Sequence, residues 1–365
     1  MSTLEYALDR IAALERQNSR LEKEVAILRA GHNCRSGVRI FALDSSKDYG
    51  EAVANALNRQ LSPHREFYHP DKEVYVRASV NVRRCHTFVI GSLYTDEQET
   101  VNDKLAKMKY LIGALKDAHA AEVTAVCPYL PYARSDRKVR SREAVITKYL
   151  ATAFEAVGAD RIITIDVHNL QAFQNAYRSC HADNLECKIE FANYFKAELG
   201  NVSPCEISIL SPDAGGMARC NWFRKALSKR LGAGIGIAFL DKKHEDDDSA
   251  KKSGNKIVGS NRKVMIIVDD MIASGSTIKL AADAALAHEA EQIWVVATHG
   301  LFVGKANENL DLPHIHKIVI GDTIKPFRLS VKLLEKTEIV PTTQLFAETI
   351  RRTYTGESLS TLFDS

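Results

Sequence analysis

Apolar side chains recur along this chain with two different periods. Over STLEYALDRIAALERQNSRLEKEVAILRA, placing Leu4, Ile11, Asn18 and Val25 at heptad position a puts Ala7, Leu14, Leu21 and Leu28 at d, a complete seam over four heptads. Leucine at d with a β-branched residue at a favours two parallel strands, and a single Asn at a fixes register at some cost in stability. The flanks agree: Arg10 at g meets Glu15 at e of a partner, and Glu24 meets Arg29. An amphipathic helix packed on its own domain would carry a broader apolar stripe, so residues 1–32 read as a self-pairing coiled-coil helix. GHNCRSG then breaks the helix.

From Val38 onward, apolar runs of strand length alternate with amphipathic stretches. VRIFAL leads to a helix near 48–60, CHTFVIGS to a helical stretch through KLAKMKYLIGALKDAH, EVTAVCPYL to a helix near 143–157, and RIITIDVH to one around 188–199. ISILSPD, WFRKALSKRL, IGIAFLDK, VMIIVDD, a helix from 277 and IWVVATHG continue the series. This order predicts an α/β fold of parallel sheets flanked by helices. Ligands of such sheets gather beyond the carboxyl ends of the strands.

The residues just after each strand are therefore the candidates. RIITIDVH ends on Asp166 and His168, ISILSPDAGG on Asp213 and two glycines, IAFLDKKH on Lys242, Lys243 and His244, and VMIIVDD on Asp269 and Asp270. Any one of these is more often a solvated charge at a loop than a working group, but four strand ends together reverse those odds. After Asp270, Ala273, Ser274, Gly275, Ser276 and Thr277 lead into a helix, where backbone N–H groups, hydroxyls and the helix dipole converge as a phosphate cradle. No GxxxxGK[ST] occurs, so this is not a Walker loop. Two acids beside a phosphate cradle suit the two hydroxyls of a ribose whose 5-phosphate lies in it.

Composition narrows the setting. The chain has 365 residues, 45% hydrophobic and 26% charged, enough for one or two globular domains with a sizeable core. Its net charge of +3 points to neither nucleic acid nor a membrane surface as partner. Seven scattered cysteines without a CxxC pair suit a reducing compartment and argue against a zinc ribbon or a disulfide framework. With no apolar run of membrane-spanning length and no leader-like opening, a cytoplasmic location is expected.

VDDMIASGST resembles the phosphoribosyl-pyrophosphate motif of the type I phosphoribosyltransferase fold. PYLPYARSDRK, GADRIITIDVHNLQAF, LSPDAGG and IRRTYTGESLSTLF are similar, in this order, to segments of ribose-phosphate pyrophosphokinases, in a divergent bacterial branch. The resemblance runs from about residue 38 to the C-terminus. It implies an N-terminal unit at 36–187 on the ATP side, completed by a C-terminal helix at 342–365, and a unit at 188–341 on the ribose phosphate side.

It also implies transfer of the β,γ-pyrophosphoryl group of MgATP to the C1 hydroxyl of ribose 5-phosphate, releasing AMP. By this pattern Asp71 and Glu73 in YHPDKE contact adenine, Arg134, Ser135 and His168 belong to the ATP site, and His168 and Asp213 fall where the family places Mg2+ ligands. A hard ion prefers the oxygen of Asp213. Asp269, Asp270 and residues 273–277 hold the ribose phosphate, while Lys242 and His244 stand at a catalytic loop, DKKHEDDDSAKKSGNK, too poor in apolar residues to be held by packing. Homo-oligomers are implied as well, dimers building hexamers in which Asp71 and Glu73 serve a neighbour's site.

The chain departs from the family pattern at four positions near the substrates. His244 stands for an Arg, Ala273 for an Asp, Ser135 for a Gln and His69 for a Phe. Besides ribose 5-phosphate, the residues leave open a larger acceptor such as ADP-ribose, a phosphoribosyltransferase using the same cradle, and a non-catalytic regulatory homologue whose working part is the coiled coil. Retention of Lys242, His168 and Asp213 speaks against the last.

Overall fold

The computed structural model describes residues 37–241 and 256–362. The coiled-coil expectation, Lys242 and His244 lie outside the described residues.

The strands in chain order are β1 (Val38–Ala42), β2 (His64–Tyr68), β3 (Val74–Ala78), β4 (His86–Ile90), β5 (Glu122–Cys127), β6 (Arg161–Ile165), β7 (His181–Leu185), β8 (Ile207–Ser211), β9 (Gly236–Asp241), β10 (Lys256–Gly259), β11 (Val264–Ile272), β12 (Gln292–Gly300), β13 (Ile315–Gly321) and β14 (Thr337–Val340). The helices are α1 (Lys47–Ala56), α2 (Val101–Asp117), α3 (Ile146–Ala156), α4 (Leu170–Ala176), α5 (Lys188–Leu199), α6 (Met217–Leu231), α7 (Ser276–Ala287), α8 (Ala306–Leu310), α9 (Val331–Leu334) and α10 (Thr343–Thr355).

Two sheets form the body. The first runs β1-β4-β5-β6-β7 and is parallel throughout; the second runs β10-β9-β8-β11-β12-β13-β14 and is parallel except where β10 pairs antiparallel with β9. Strands covered on both faces are rich in apolar residues, and VRIFA and ISILS are buried along their whole length, Arg39, Ser208 and Ser211 included. Helix α2 starts at a capping box: the Thr100 side chain accepts from the Asp103 N–H, and the Asp103 side chain accepts from the Thr100 N–H.

One apolar cluster joins the sheets. Ile163 and Ile165 of β6, Phe191 and Phe195 of α5, and Ile266 and Trp294 of the second sheet belong to it, with Phe195 and Trp294 rings 5.4 Å apart. Phe346, Ala347 and Ile350 of α10 enter the same cluster beside Val53 and Ala54 of α1.

Two features depart from the sequence pattern. The hairpin β2–β3 stands apart from both sheets and packs on α2. Cys85 is disulfide-bonded, whereas Cys127, Cys180, Cys187, Cys205 and Cys220 are free. Spacing along the chain carries no information about which distant cysteines the fold brings together, so a single bond of this kind is not legible in it.

Candidate functional site

The acid pair does not end its strand. β11 continues through Asp269 and Asp270 to Ile272, with Asp269 opposite Ala297 and Met271 opposite His299 of β12. Asp270 is almost wholly buried, and its carboxylate is held from two sides: Oδ2 lies 3.0 Å from His168 Nδ1, and Oδ1 lies 3.2 Å from Arg219 Nη1. Arg219 also lies 3.7 Å from Asp269 Oδ1 and donates to the His168 carbonyl at 3.4 Å. His168 follows β6 of the first sheet, Arg219 lies in the first turn of α6, and the acids belong to the second sheet. The meeting point is thus between the two sheets.

Burial alone would raise Asp270, but the hydrogen bond to His168 and the Arg219 charge outweigh it and hold this carboxyl below the usual range. Burial, then the adjacent Asp270 charge, push Asp269 the other way. The hydrogen bond to Asp270 raises His168 against its partial burial. Two carboxylates side by side share their titration, and here the better-partnered one keeps the charge.

Next to this centre, Asp166 takes a left-handed backbone, φ +43, and turns its carboxylate inward. It accepts from Thr298 Oγ1 at 2.5 Å and from the Cys187 N–H at 3.1 Å, and burial pushes it up to about 6. His299, fully buried, bridges Thr323 Oγ1 at 2.9 Å and the Ile165 carbonyl at 3.1 Å, and burial pushes it down to about 4. Thr298 and His299 of β12 therefore tie the end of β6 to the second sheet.

Residues 273–277 lead from β11 into α7. Gly275, at φ +73, caps α7 in the left-handed region, and a Cβ there would sit 3.1 Å from Leu310 Cγ. Ser274 and Ser276 hydroxyls lie 3.1 Å apart, Asn309 Nδ2 donates to the Ser274 carbonyl at 2.8 Å, and the Val303 N–H donates to the Ala273 carbonyl at 2.9 Å. Thr277 is half-buried in the first turn of α7.

Asp213 lies on the turn between β8 and α6. Its Oδ1 accepts from the Gly216 N–H at 3.0 Å, and a Cβ on Gly216 would meet Ser211 Oγ at 2.7 Å. On the first sheet, Arg134 is exposed, Ser135 accepts at its carbonyl from the Thr147 N–H at 3.3 Å, and the Asn169 amide donates to Asp136 at 2.6 Å. Asp71 and Glu73 sit at the exposed tip of the β2–β3 hairpin, where Asp71 Oδ1 accepts the Glu73 N–H at 3.1 Å. They are not part of the His168–Asp270–Arg219 centre. The strands that bracket Lys242 and His244 pair directly, with Asp241 opposite Lys256.

Sequence reasoning overlooked Arg219. Its signal was its place in DAGGMAR, six residues beyond Asp213, but only the tertiary fold reveals the acids it meets. Among the described residues, the clustered set of His and acid ligand atoms is Asp44, His64 and Glu66, under the hairpin. Glu66 Oε2 is already 3.0 Å from Lys107 Nζ, so that set is an ion network rather than a cation site.

Comparison with known proteins adds the following. The N-terminal domain of ribose phosphate pyrophosphokinase matches residues 38–158, and the phosphoribosyl synthetase-associated domain matches residues 238–364. The chain is 32% identical over 330 residues to ribose-phosphate pyrophosphokinase 1 of Streptococcus pyogenes, covering 90% of this chain and 98% of that protein. It is 34% identical over 330 residues, with the same coverage, to the ribose-phosphate pyrophosphokinase of Caldanaerobacter subterraneus subsp. tengcongensis. The crystal structure of phosphoribosylpyrophosphate synthetase from Mycobacterium smegmatis shares its fold, with a TM-score of 0.77 at 24% identity over 88% of this chain and 100% of that one.

Proposed function

The chain belongs to the ribose-phosphate pyrophosphokinase family, and from that premise we propose how its residues divide the work of making phosphoribosyl pyrophosphate from ribose 5-phosphate and ATP. The anomeric oxygen of ribose 5-phosphate attacks the β-phosphorus in line; the new P–O bond forms as the bond to the AMP oxygen breaks, and the hydroxyl proton goes to solvent. Such a transfer depends mainly on positioning and charge neutralisation.

The first sheet, residues 36–187 with the C-terminal helix, takes ATP; residues 188–341 take the ribose phosphate. Supporting this division is the contact of His168, after β6, with Asp270 of β11 at 3.0 Å, which brings a nucleotide-side imidazole against the acceptor strand. Arg134, Ser135 and His168 would hold the ATP phosphates, and Asp71 and Glu73, on an exposed hairpin tip, would reach the adenine in a neighbouring subunit of a homo-oligomer. Residues 273–277 would cradle the 5-phosphate on the α7 N-terminus. Lys242, with His244 beside it, would bring positive charge over the transferring phosphates.

Mg2+ suits this donor set. It usually keeps one or two protein ligands and takes the rest from phosphates and water, and Asp213 offers an oxygen on a turn open to the cleft, with His168 as the second residue. When bound it neutralises phosphate charge.

Phosphorus NMR of ATP and Mg2+ with ribose 5-phosphate, and separately with ADP-ribose, tests the assignment. AMP together with a new pyrophosphate ester from ribose 5-phosphate supports it. Turnover only with ADP-ribose would move the acceptor, and turnover with neither would mean a regulatory homologue.

A further inference from the structure

Adjacent acids on a strand are easily given one job, but these two differ in what surrounds them. The Asp270 side chain is 2% exposed and both of its oxygens are engaged, Oδ2 with His168 Nδ1 at 3.0 Å and Oδ1 with Arg219 Nη1 at 3.2 Å. Arg219 closes a ring by donating from Nη2 to the His168 carbonyl at 3.4 Å. Asp269 keeps 23% of its side chain exposed and meets Arg219 only at 3.7 Å.

An imidazole hydrogen-bonded at one nitrogen has its ring orientation fixed, and the other nitrogen is left to work. His168, 40% exposed, is in that condition, with Nδ1 turned onto the buried carboxylate. An arginine fork bridging a carboxylate and a carbonyl adds direction as well as charge. The ring of contacts spans 102 residues between His168 and Asp270, so it also sets the register of the nucleotide-side loop on the acceptor strand.

Resting on the ribose-phosphate pyrophosphokinase reading, we propose that the two acids have separate tasks. Asp269 meets the acceptor's hydroxyls, whereas Asp270 and Arg219 are positioning residues that aim the His168 imidazole at the transferring phosphates.

The test measures AMP release and, separately, calorimetric binding of ribose 5-phosphate for the wild type, Asp269→Asn, Asp270→Asn and Arg219→Lys. The latter two are also made in a His168→Ala background. Asp269→Asn should weaken ribose 5-phosphate binding and raise its KM. Asp270→Asn and Arg219→Lys should lower kcat roughly ten- to a hundredfold, the range for a carboxylate behind a functional imidazole, with ribose 5-phosphate binding within about twofold of wild type. In the His168→Ala background they should cost nothing further, because their effect runs through that ring.

A general structural fault would lower kcat in both backgrounds and overturn the proposal. So would loss of ribose 5-phosphate binding in Asp270→Asn equal to that in Asp269→Asn. A wild type that releases no AMP with ribose 5-phosphate would instead overturn the underlying reading, and the proposal with it.

Discussion

Lys107→Met should weaken the anchoring of the β2–β3 hairpin on α2 while leaving the second sheet untouched. Lys107, on α2, is 4% exposed; its Nζ lies 3.0 Å from Glu66 Oε2 of β2, contacts Glu99 and stands 4.6 Å over the Tyr68 ring. Glu66, 1% exposed, is also 2.8 Å from His64 Nε2, and Tyr68 donates to Glu99 at 3.0 Å. At an effective dielectric near 20, one pair at 3 Å is worth about 5 kcal/mol of Coulomb attraction, much of it offset by desolvation. Removing one partner of a buried pair costs ~3–5 kcal/mol, because the other charge stays buried. Glu66 keeps His64 and Glu99 keeps Tyr68, so the low end, about 3 kcal/mol, applies. Urea unfolding should show a lower midpoint at unchanged slope. The deficit should shrink as pH falls from neutral, since the stranded carboxylates then take up protons, and Lys107→Met with Glu66→Gln should cost less than the sum of the two. KM for ATP should rise while that for ribose 5-phosphate stays. A loss below about 1 kcal/mol with no pH dependence would mean that the network is solvated like a surface pair, and would refute the reasoning.

Lys242→Ala should lower kcat on the order of a hundredfold with ATP binding nearly intact, as pre-steady-state turnover and nucleotide titration will show; an unchanged kcat removes Lys242 from the catalytic loop. Asp166 and His299 should oppose each other in acid. Burial raises Asp166 to about 6, so its folded form holds the proton more tightly and loses stability as pH rises from about 4 to 6; burial lowers His299 to about 4, so it gains stability from about 4 to 6.5. Asp166→Asn should therefore steepen the rise of unfolding free energy with pH over that window, and a slope equal to wild type would contradict it. Deletion of residues 1–32 should leave the α/β core and AMP release intact while light scattering reads a smaller or altered assembly; unchanged mass with unchanged activity would mean that the heptads serve another partner.

The strands that came through clearly from residue order were those buried on both faces, such as VRIFA, RIITI and ISILS, because apolar residues dominate them. HREFY and VYVRA were overlooked because an isolated hairpin mixes charged with apolar residues: Glu66 turns inward onto Lys107 of α2, while Arg65 and Arg77 are exposed. HADNL, an edge strand of polar residues, owes its conformation to its neighbour β6. At the site, the acid pair on β11 and the small residues leading into α7 stand out in the sequence because they are contiguous in it. Arg219 was not, since an arginine in a helix looks like surface charge until the fold sets it against two carboxylates from another strand.

The contact between α10 and α1 bears on how the protein is made. Tyr49 and Phe346 rings meet at 6.0 Å, and the Tyr49 hydroxyl lies 2.7 Å from Thr342 Oγ1 across 293 residues of intervening chain. At ribosomal rates of about 5–20 residues per second, the apolar side of α1 is translated roughly 15–60 s before its cover emerges. Through that interval Val53, Ala54 and the ring of Tyr49 lack their native lid, so a nascent chain stalled short of residue 343 presents a sticky, half-built layer that chaperones and proteases can recognise.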